Sequence, residues 1–327
     1  MKTVAVKRRS RYENAWPHPA HGLLDVLRWK FGFGPREAVP LVSENFPPDK
    51  LSPVEPDLQR IESPDSSRIQ LTWIGHMTFL IQHNGKNILT DPIFGNCLTP
   101  FPLLRLPRRT LPGLALEQLP PIHDVLISHC HYDHLDAPTV ARLSRKKSTT
   151  RFWLPSGLGK WFRRKNIPGF QELAWWRSAT LGDGLEIHAV PAQHFAARGP
   201  FDKNLTHWCG WVLRSSSRTI YFAGDTGYCP DFSEIGKRFG GFDLSLIPIG
   251  AYRPRWLMKP MHVDPFEAVQ IHQDVRSRLS VAGHWGTFAM TGEPLLEPPA
   301  LLRQALSERG LSRDQFRTLQ IGETIVV

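Results

Sequence analysis

The residues best suited to chemistry lie in one short segment, 128–136, with the sequence SHCHYDHLD. It follows an aliphatic run at 122–127 that is typical of a buried strand. Imidazole nitrogens and a carboxylate that are buried together need a partner for every lone pair, and a transition metal supplies one. We therefore predict that this segment is a metal-binding loop between a strand and a helix.

The spacing within this loop separates two pairs of donors. On a bent loop His129 and His131 point to one side, whereas Asp133 and His134 point to a neighbouring position, so one loop can serve two adjacent ions. Further ligand types follow later predicted strands. These are His194 after 185–190, Asp225 after 219–223 and His284 after 279–282.

These motifs, in this order, resemble the signature of the metallo-β-lactamase superfamily. The resemblance implies an α/β (α+β) fold, a four-layer αβ/βα sandwich in which two mixed β-sheets are flanked by helices. It also implies a pair of metal ions, most often zinc, at one edge of the sheets. By this resemblance the first Zn2+ is held by His129, His131 and His194, the second by Asp133, His134 and His284, and Asp225 bridges the two.

Two residues at the ends of earlier strands are predicted to lie beside these ligands. Asp91 belongs to the predicted strand at 87–92 and resembles the superfamily's first motif, whose carboxylate orients a metal ligand from behind. His76 ends the predicted strand at 69–76, so we expect it near the site.

Longer segments resemble one group within this superfamily, the N-acylphosphatidylethanolamine-hydrolysing phospholipases D. They are 73–76, 90–94, 126–136, 222–229, 234–240, 247–256, 262–265, 284–288 and 296–299. The resemblance implies that a hydroxide bridging two Zn2+ ions attacks the phosphodiester of N-acylphosphatidylethanolamine. The products would be N-acylethanolamine and phosphatidic acid.

The same resemblance implies roles for residues around the ions. The predicted catalytic residues are Asp133, Asp225 and His262, with His262 near the leaving group. The predicted substrate contacts are Tyr252, Arg253, Arg255 and Met261. The family in animals has Asn where Cys130 stands and Gln where Met261 stands, so Met261 removes a polar group from the place where substrate would lie.

The amino-acid composition limits the possible binding partners and the cellular compartment. The formal net charge of +10 over 327 residues favours contact with anions, whether a phosphate-bearing substrate, nucleic acid or an acidic membrane surface. Four cysteines without CxxC spacing are typical of a reducing compartment. Since the basic N-terminus is not followed by an apolar signal region, and no apolar run is long enough to cross a membrane, we expect a cytoplasmic location with peripheral contact on the inner face of a membrane.

We predict an N-terminal arm, residues 1–65, that packs on a hydrolase domain, residues 66–327. An amphipathic helix is predicted at 22–31, where apolar residues recur at helical spacing at Leu23, Leu24, Leu27 and Phe31. This helix either packs on the core or docks on a membrane. A loop at 94–121 mixes apolar and cationic residues, and it either forms a lip over a lipid-like anionic substrate or packs on the surface.

Other functions compete with phospholipid hydrolysis. A lactonase or a small-molecule phosphodiesterase on the same fold keeps the metals and changes the substrate, and a nucleic-acid-processing hydrolase uses the basic charge. We expect no nucleic acid partner, because the interval between Asp225 and His284 has no room for an inserted domain and no dense Lys/Arg block is present. A homodimer is implied by the resemblance alone.

Overall fold

The computed structural model describes residues 11–19, 21–35, 51–98, 106–146 and 149–327. Within them the helices are α1 (Leu23–Lys30), α2 (Leu58–Glu62), α3 (Ala137–Lys146), α4 (Gly159–Arg164), α5 (Asp231–Phe239), α6 (Arg255–Met258), α7 (Pro265–Asp274) and α8 (Glu297–Glu308). The strands are β1 (Gln70–Gly75), β2 (Thr78–His83), β3 (Lys86–Thr90), β4 (Asp124–Leu126), β5 (Arg151–Pro155), β6 (Phe170–Leu173), β7 (Ser178–Gly182), β8 (Leu185–Val190), β9 (Gly210–Arg214), β10 (Thr219–Phe222), β11 (Phe242–Pro248), β12 (Ser277–Gly283), β13 (Phe316–Arg317) and β14 (Thr324–Val326).

The described strands form two sheets of seven strands each. The first has the order β14-β1-β2-β3-β4-β5-β6, and the second has the order β13-β12-β11-β10-β9-β8-β7. Each sheet is mixed, because one half pairs antiparallel and the other half pairs parallel. The parallel halves are β3 to β6 in the first sheet and β10 to β13 in the second.

The two sheets pack face to face around the main hydrophobic core. Trp73 of β1 and Trp211 of β9 are buried in the same cluster, and the indole nitrogen of Trp211 donates to the carbonyl of Ile127 across the sheets at 3.0 Å. Helices α3 and α4 cover the outer face of the first sheet, and α5, α7 and α8 cover the second. The four layers confirm the predicted αβ/βα sandwich.

Strand direction brings the functional loops to one edge of each sheet. Strand β1 is antiparallel to β2, which is antiparallel to β3, so β1 runs in the same direction as β3 and β4. By the same reasoning through β9, strand β8 runs with β10, β11 and β12. The loops that leave the carboxyl ends of these strands therefore meet, and these loops carry the predicted ligands.

Several elements were not predicted from the sequence. The edge strands β6 and β7 are mostly exposed or half-buried, so they lack the apolar run or clean alternation by which a strand is recognised. Helix α5 buries Phe232, Ile235 and Gly236 and ends at Gly240, whose φ of 77° is the left-handed conformation of a glycine cap. Its apolar face is narrow, so the helix was not predicted from the sequence.

The predicted amphipathic helix is present as α1, with an apolar surface that the core leaves uncovered. The side chains of Leu24 and Phe31 are 76% and 71% exposed, whereas Val26 and Trp29 face a cavity above the predicted metal site.

Every described helix is too short or too polar to cross a bilayer. Part of the predicted lip at 94–121 lies outside the described residues, namely 99–105.

Candidate metal centre

The loop after β4 is held in shape by hydrogen bonds to its main chain. Ser128 donates from its backbone nitrogen and its hydroxyl to the carboxylate of Asp91, at 2.7 and 2.5 Å. From outside the loop, the guanidinium of Arg198 donates to the carbonyls of Cys130 and Leu135 at 2.7 and 2.9 Å. These hydrogen bonds hold the main chain of the loop and so fix the direction in which its side chains point. Arg198 carried no signal in the sequence, because its contacts are with backbone oxygens and with the rings of Tyr132 and Trp161, which are remote in the chain.

Strained backbone marks the strand ends around this loop. His76, Asp91 and His284 have φ values of 53°, 30° and 62°, in the left-handed region that non-glycine residues rarely adopt. Gly224 has a similar positive φ of 63°. Any other residue would be too crowded here, because its Cβ atom would lie 2.7 Å from the Cβ of Ser128. Such strain is retained where the surrounding structure requires a particular side-chain direction.

One group of possible metal donors consists of three histidines. His129, His131 and His194 offer ligand atoms that lie within 4.8 Å of one another. The Nδ1 atom of His194 donates to the carbonyl of Met261 at 2.8 Å, which leaves its Nε2 atom unprotonated and facing the group. Burial lowers the pKa of His131 to about 3 and that of His194 to about 4, so both rings are neutral and have a lone pair available.

A second group lies beside the first and contains a carboxylate. Asp133, His134, His284 and His76 also offer ligand atoms within 4.8 Å of one another. The Oδ2 atom of Asp133 is 3.1 Å from the Nε2 atom of His134 and 3.5 Å from that of His284. The predicted second set of ligands is thus brought together, with His76 as an additional member.

Asp225 lies between the two groups. Its Oδ2 atom is 3.0 Å from the Nε2 atom of His134 and 3.1 Å from that of His284. The same oxygen is 3.9 Å from the Nε2 atom of His194 and 4.0 Å from that of His129. One carboxylate therefore reaches both groups, as a bridging ligand would.

The donor set fits divalent cations, because buried polar atoms here lack partners. The Nε2 atoms of His134 and His284 and the Oδ1 atom of Asp225 are buried without a hydrogen bond, although they lie close to other donors. Metal ligands typically show this arrangement: histidine nitrogens and aspartate oxygens lie close together but are not aligned for hydrogen bonds with one another.

The pKa shifts of the donor residues also indicate a site for cations. Burial acts to lower the pKa of His134 and His284, but Asp225 and Asp133 outweigh it, so the pKa of His134 lies well above its ordinary value and that of His284 is raised to about 9. Conversely, burial acts to raise the pKa of Asp225, and His134 and His284 outweigh it, so that pKa lies well below its ordinary value. The buried carboxylates require positive charge, and bound metal ions would supply it in place of these protons.

Asp91 and His76 both contact members of the second group. The Oδ2 atom of Asp91 is 2.7 Å from the Nδ1 atom of His134, whose Nε2 atom faces Asp133 and Asp225. The Nε2 atom of His76 is 3.0 Å from the Oδ2 atom of Asp133. Their orienting role stays a prediction.

A cavity of about 360 Å³ opens directly above the donors. Its floor contains His131, Asp133, Asp225 and His262. Its walls are mainly apolar and come from α1, from the loop at 94–121 and from the segments around β11 and α6. The wall residues include Val26, Trp29, Leu98, Leu106, Phe195, Leu257, Met258, Met261 and Met290.

The predicted substrate contacts differ in their surroundings. Met261 lines the cavity. The hydroxyl of Tyr252 donates to Glu297 at 2.5 Å, and Arg253 pairs with the same carboxylate at 2.9 Å. Arg255 pairs with Glu267 at 2.7 Å and donates to the carbonyl of His262 at 2.8 Å, so it supports His262 from behind. Direct contact of Tyr252 and the two arginines with substrate stays a prediction.

Comparisons with known proteins agree with this geometry. The beta-lactamase superfamily domain matches residues 86–285. The chain is 39% identical over 297 residues to N-acyl-phosphatidylethanolamine-hydrolyzing phospholipase D 1 of Caenorhabditis elegans, covering 86% of this chain and 83% of the worm protein. It is 36% identical over 260 residues to the mitochondrial N-acyl-phosphatidylethanolamine-hydrolyzing phospholipase D of Saccharomyces cerevisiae, covering 77% of this chain and 55% of the yeast protein.

The fold is also shared with solved structures. A metallo hydrolase from the archaeon Ignicoccus hospitalis superposes with a TM-score of 0.61 at 21% identity, covering 80% of this chain and 98% of the archaeal one. The chain is therefore a metal-dependent hydrolase of the beta-lactamase superfamily, and within it the chain belongs to the family of N-acyl-phosphatidylethanolamine-hydrolysing phospholipases D.

Proposed function

We propose that this protein hydrolyses N-acylphosphatidylethanolamine to N-acylethanolamine and phosphatidic acid. The observation that carries the proposal is the apolar cavity whose floor is the histidine and aspartate cluster. Such a cavity suits acyl chains beside a phosphodiester, whereas a lactone or a small polar phosphodiester would leave its walls unfilled. The names of the worm and yeast relatives give this substrate for those proteins.

The residues present would hold two Zn2+ ions. His129, His131 and His194 would hold one, Asp133, His134 and His284 the other, and Asp225 would bridge them. When bound, the ions would lower the pKa of water and offset negative charge on the phosphoryl oxygens. The protein's own contribution is to fix the donors and to exclude bulk water.

Proton handling falls to His262 in this proposal. Its Nδ1 atom is buried without a hydrogen bond and lies 3.8 Å from the Oδ2 atom of Asp225 at the cavity floor. Burial holds the pKa of His262 well below its ordinary value, so the ring is neutral and carries a single proton. Cleavage of the bond between phosphorus and the ethanolamine oxygen puts one proton on that oxygen, and the attacking water is its source. A neutral His262, which has one N–H and one free ring nitrogen, would accept the proton of the water and donate its own to the leaving oxygen.

We further propose peripheral contact with the inner face of a membrane, through α1. Leu24 on α1 and Phe31 and Phe33 directly after it are exposed, and Arg28 and Lys30 on the helix are exposed cations. Two other residues of α1, Val26 and Trp29, line the cavity, so a lipid could pass from the surface to the donors without leaving an apolar environment. A cytoplasmic location and a homodimer stay predictions.

The direct test offers N-acylphosphatidylethanolamine in detergent micelles to the metal-loaded protein, with products identified by mass spectrometry. We expect both N-acylethanolamine and phosphatidic acid from the wild type and from His188→Ala, a histidine on β8 that pairs with exposed Glu186. His131→Ala should release neither. Turnover of lactones or small phosphodiesters by a metal-loaded protein that leaves the lipid intact would overturn the proposed substrate.

A further inference from the structure

One of the proposed ligands is held by a residue that is remote in sequence. The backbone nitrogen of His194 donates to the Oδ1 atom of Asn14 at 3.0 Å, and the Nδ2 atom of Asn14 donates to the carbonyl of His194 at 2.9 Å. The side-chain amide of Asn14 thus pairs with both polar groups of the His194 main chain. The same Oδ1 atom also accepts from the indole nitrogen of Trp208 at 3.0 Å.

The segment that carries Asn14 is anchored on both sides. Before it, the backbone nitrogen of Tyr12 donates to the carbonyl of Asn204 at 2.9 Å, and the ring of Tyr12 lies 4.5 Å from that of His207. After it, the indole nitrogen of Trp16 donates to Asp231 at 2.8 Å. These contacts fix the position from which Asn14 reaches His194.

His194 needs this support because of where it lies in the chain. It is four residues past the end of β8 and one residue past an isolated bridge between Gln193 and Gly227, so no continuous ladder of backbone hydrogen bonds holds its main chain. Its ring is fixed separately, through the hydrogen bond from its Nδ1 atom to Met261. Main chain and ring together set the position of Nε2, the atom that faces His129 and His131.

We propose that Asn14 is a positioning residue of the metal centre, which makes the N-terminal segment around it part of the active site. The inference rests on the proposed role of His194 as a ligand. Partners that hold a ligand in place typically contribute 10-fold to 100-fold in metal affinity. Loss of the Asn14 amide should therefore weaken the ion held by His129, His131 and His194 by about tenfold, and the other ion less.

The test measures metal binding rather than turnover. Wild type, Asn14→Ala and Asn14→Asp are titrated with a chromophoric chelator, and the absorption bands of the cobalt-loaded proteins are recorded. The matched control is Glu13→Ala, an exposed neighbour on the same segment. Circular dichroism and thermal unfolding establish that each variant is folded.

We expect Asn14→Ala to release one of two ions about tenfold more readily and to show altered cobalt bands. Asn14→Asp keeps the acceptor for His194 and loses the donor, so its affinity should lie between wild type and Asn14→Ala. Glu13→Ala should match the wild type. Wild-type metal affinity and cobalt bands in a folded Asn14→Ala protein would overturn the inference and leave the proposed function intact. A wild type that binds no metal would overturn both.

Discussion

At the scale of single residues, Asp225 is the side chain on which the site depends. Its Oδ2 atom lies within 4.0 Å of ring nitrogens from both donor groups, and its Oδ1 atom is buried without a hydrogen bond. No other described carboxylate lies within 4.0 Å of ring nitrogens from both groups; Asp133 and Asp91 come that close only to the second. A single substitution here should therefore affect both of the proposed ions.

The first prediction concerns Asp225→Asn, which keeps the shape and removes the charge. We expect hydrolysis to fall by more than about 100-fold, because a direct ligand should matter more than the outer partners that contribute up to that factor. Metal content should fall as well, while thermal unfolding stays cooperative. The control is Asp243→Asn, a carboxylate that pairs with Arg218 and Arg278 away from the site. Wild-type turnover by Asp225→Asn would exclude a bridging role.

At the scale of elements, the loop after β4 is shaped by neighbours as much as by its own sequence. Arg198 contributes hydrogen bonds to its carbonyls, and its guanidinium lies 4.0 Å from the centre of the Tyr132 ring. Removing the charged donor would leave buried carbonyl groups without partners. The stability of this loop should therefore depend on a residue that lies some sixty positions away.

The second prediction tests that dependence with Arg198→Met, which keeps most of the aliphatic stem. We expect the free energy of unfolding to fall by about 2 to 3 kcal/mol, because hydrogen bonds from a charged donor contribute about this much. Urea denaturation measures it. Arg164→Met, an exposed arginine at the end of α4, should change the free energy of unfolding by less than about 0.5 kcal/mol. Equal effects of the two substitutions would contradict the account.

The grouping of the candidate ligands could be predicted from sequence, because their types and order follow the ends of recognisable strands. What the sequence did not reveal depends on contacts with distant main chain. Asn14 and Arg198 donate hydrogen bonds to backbone carbonyl groups. Because every residue has such a group, these contacts cannot be recognised from residue types. The pairing of Tyr252 and Arg253 with Glu297 is equally remote, since it joins the loop after β11 to the start of α8.

At the scale of the whole molecule, the apolar cavity lies next to the exposed apolar side chains of an amphipathic helix. Helix α1 contributes Val26 and Trp29 to the cavity wall and leaves Leu24 exposed beside them. The net charge of +10 would add attraction to an anionic membrane surface. Substitutions on the outer face of α1 should therefore weaken membrane binding and leave catalysis unchanged.

The third prediction is that the double variant Leu24→Glu, Phe31→Glu binds anionic vesicles at least about tenfold more weakly than the wild type, because two apolar contacts become charged. Vesicle sedimentation measures this. Hydrolysis of substrate dispersed in detergent should be unchanged, because neither side chain lines the cavity. Val326→Glu, at an exposed apolar residue on β14, serves as the control. Undiminished vesicle binding by the double variant would exclude α1 as the contact surface.

Hydrolysis of N-acylphosphatidylethanolamine in water enriched in oxygen-18 shows which bond the protein cleaves. If water attacks phosphorus and the ethanolamine oxygen leaves, each phosphatidic acid molecule carries one heavy oxygen and N-acylethanolamine carries none. We predict this labelling for the metal-loaded wild type and its loss with Asp225→Asn. Heavy oxygen in a released fatty acid or in N-acylethanolamine, or the absence of both products, would contradict phospholipase D-type hydrolysis at this centre.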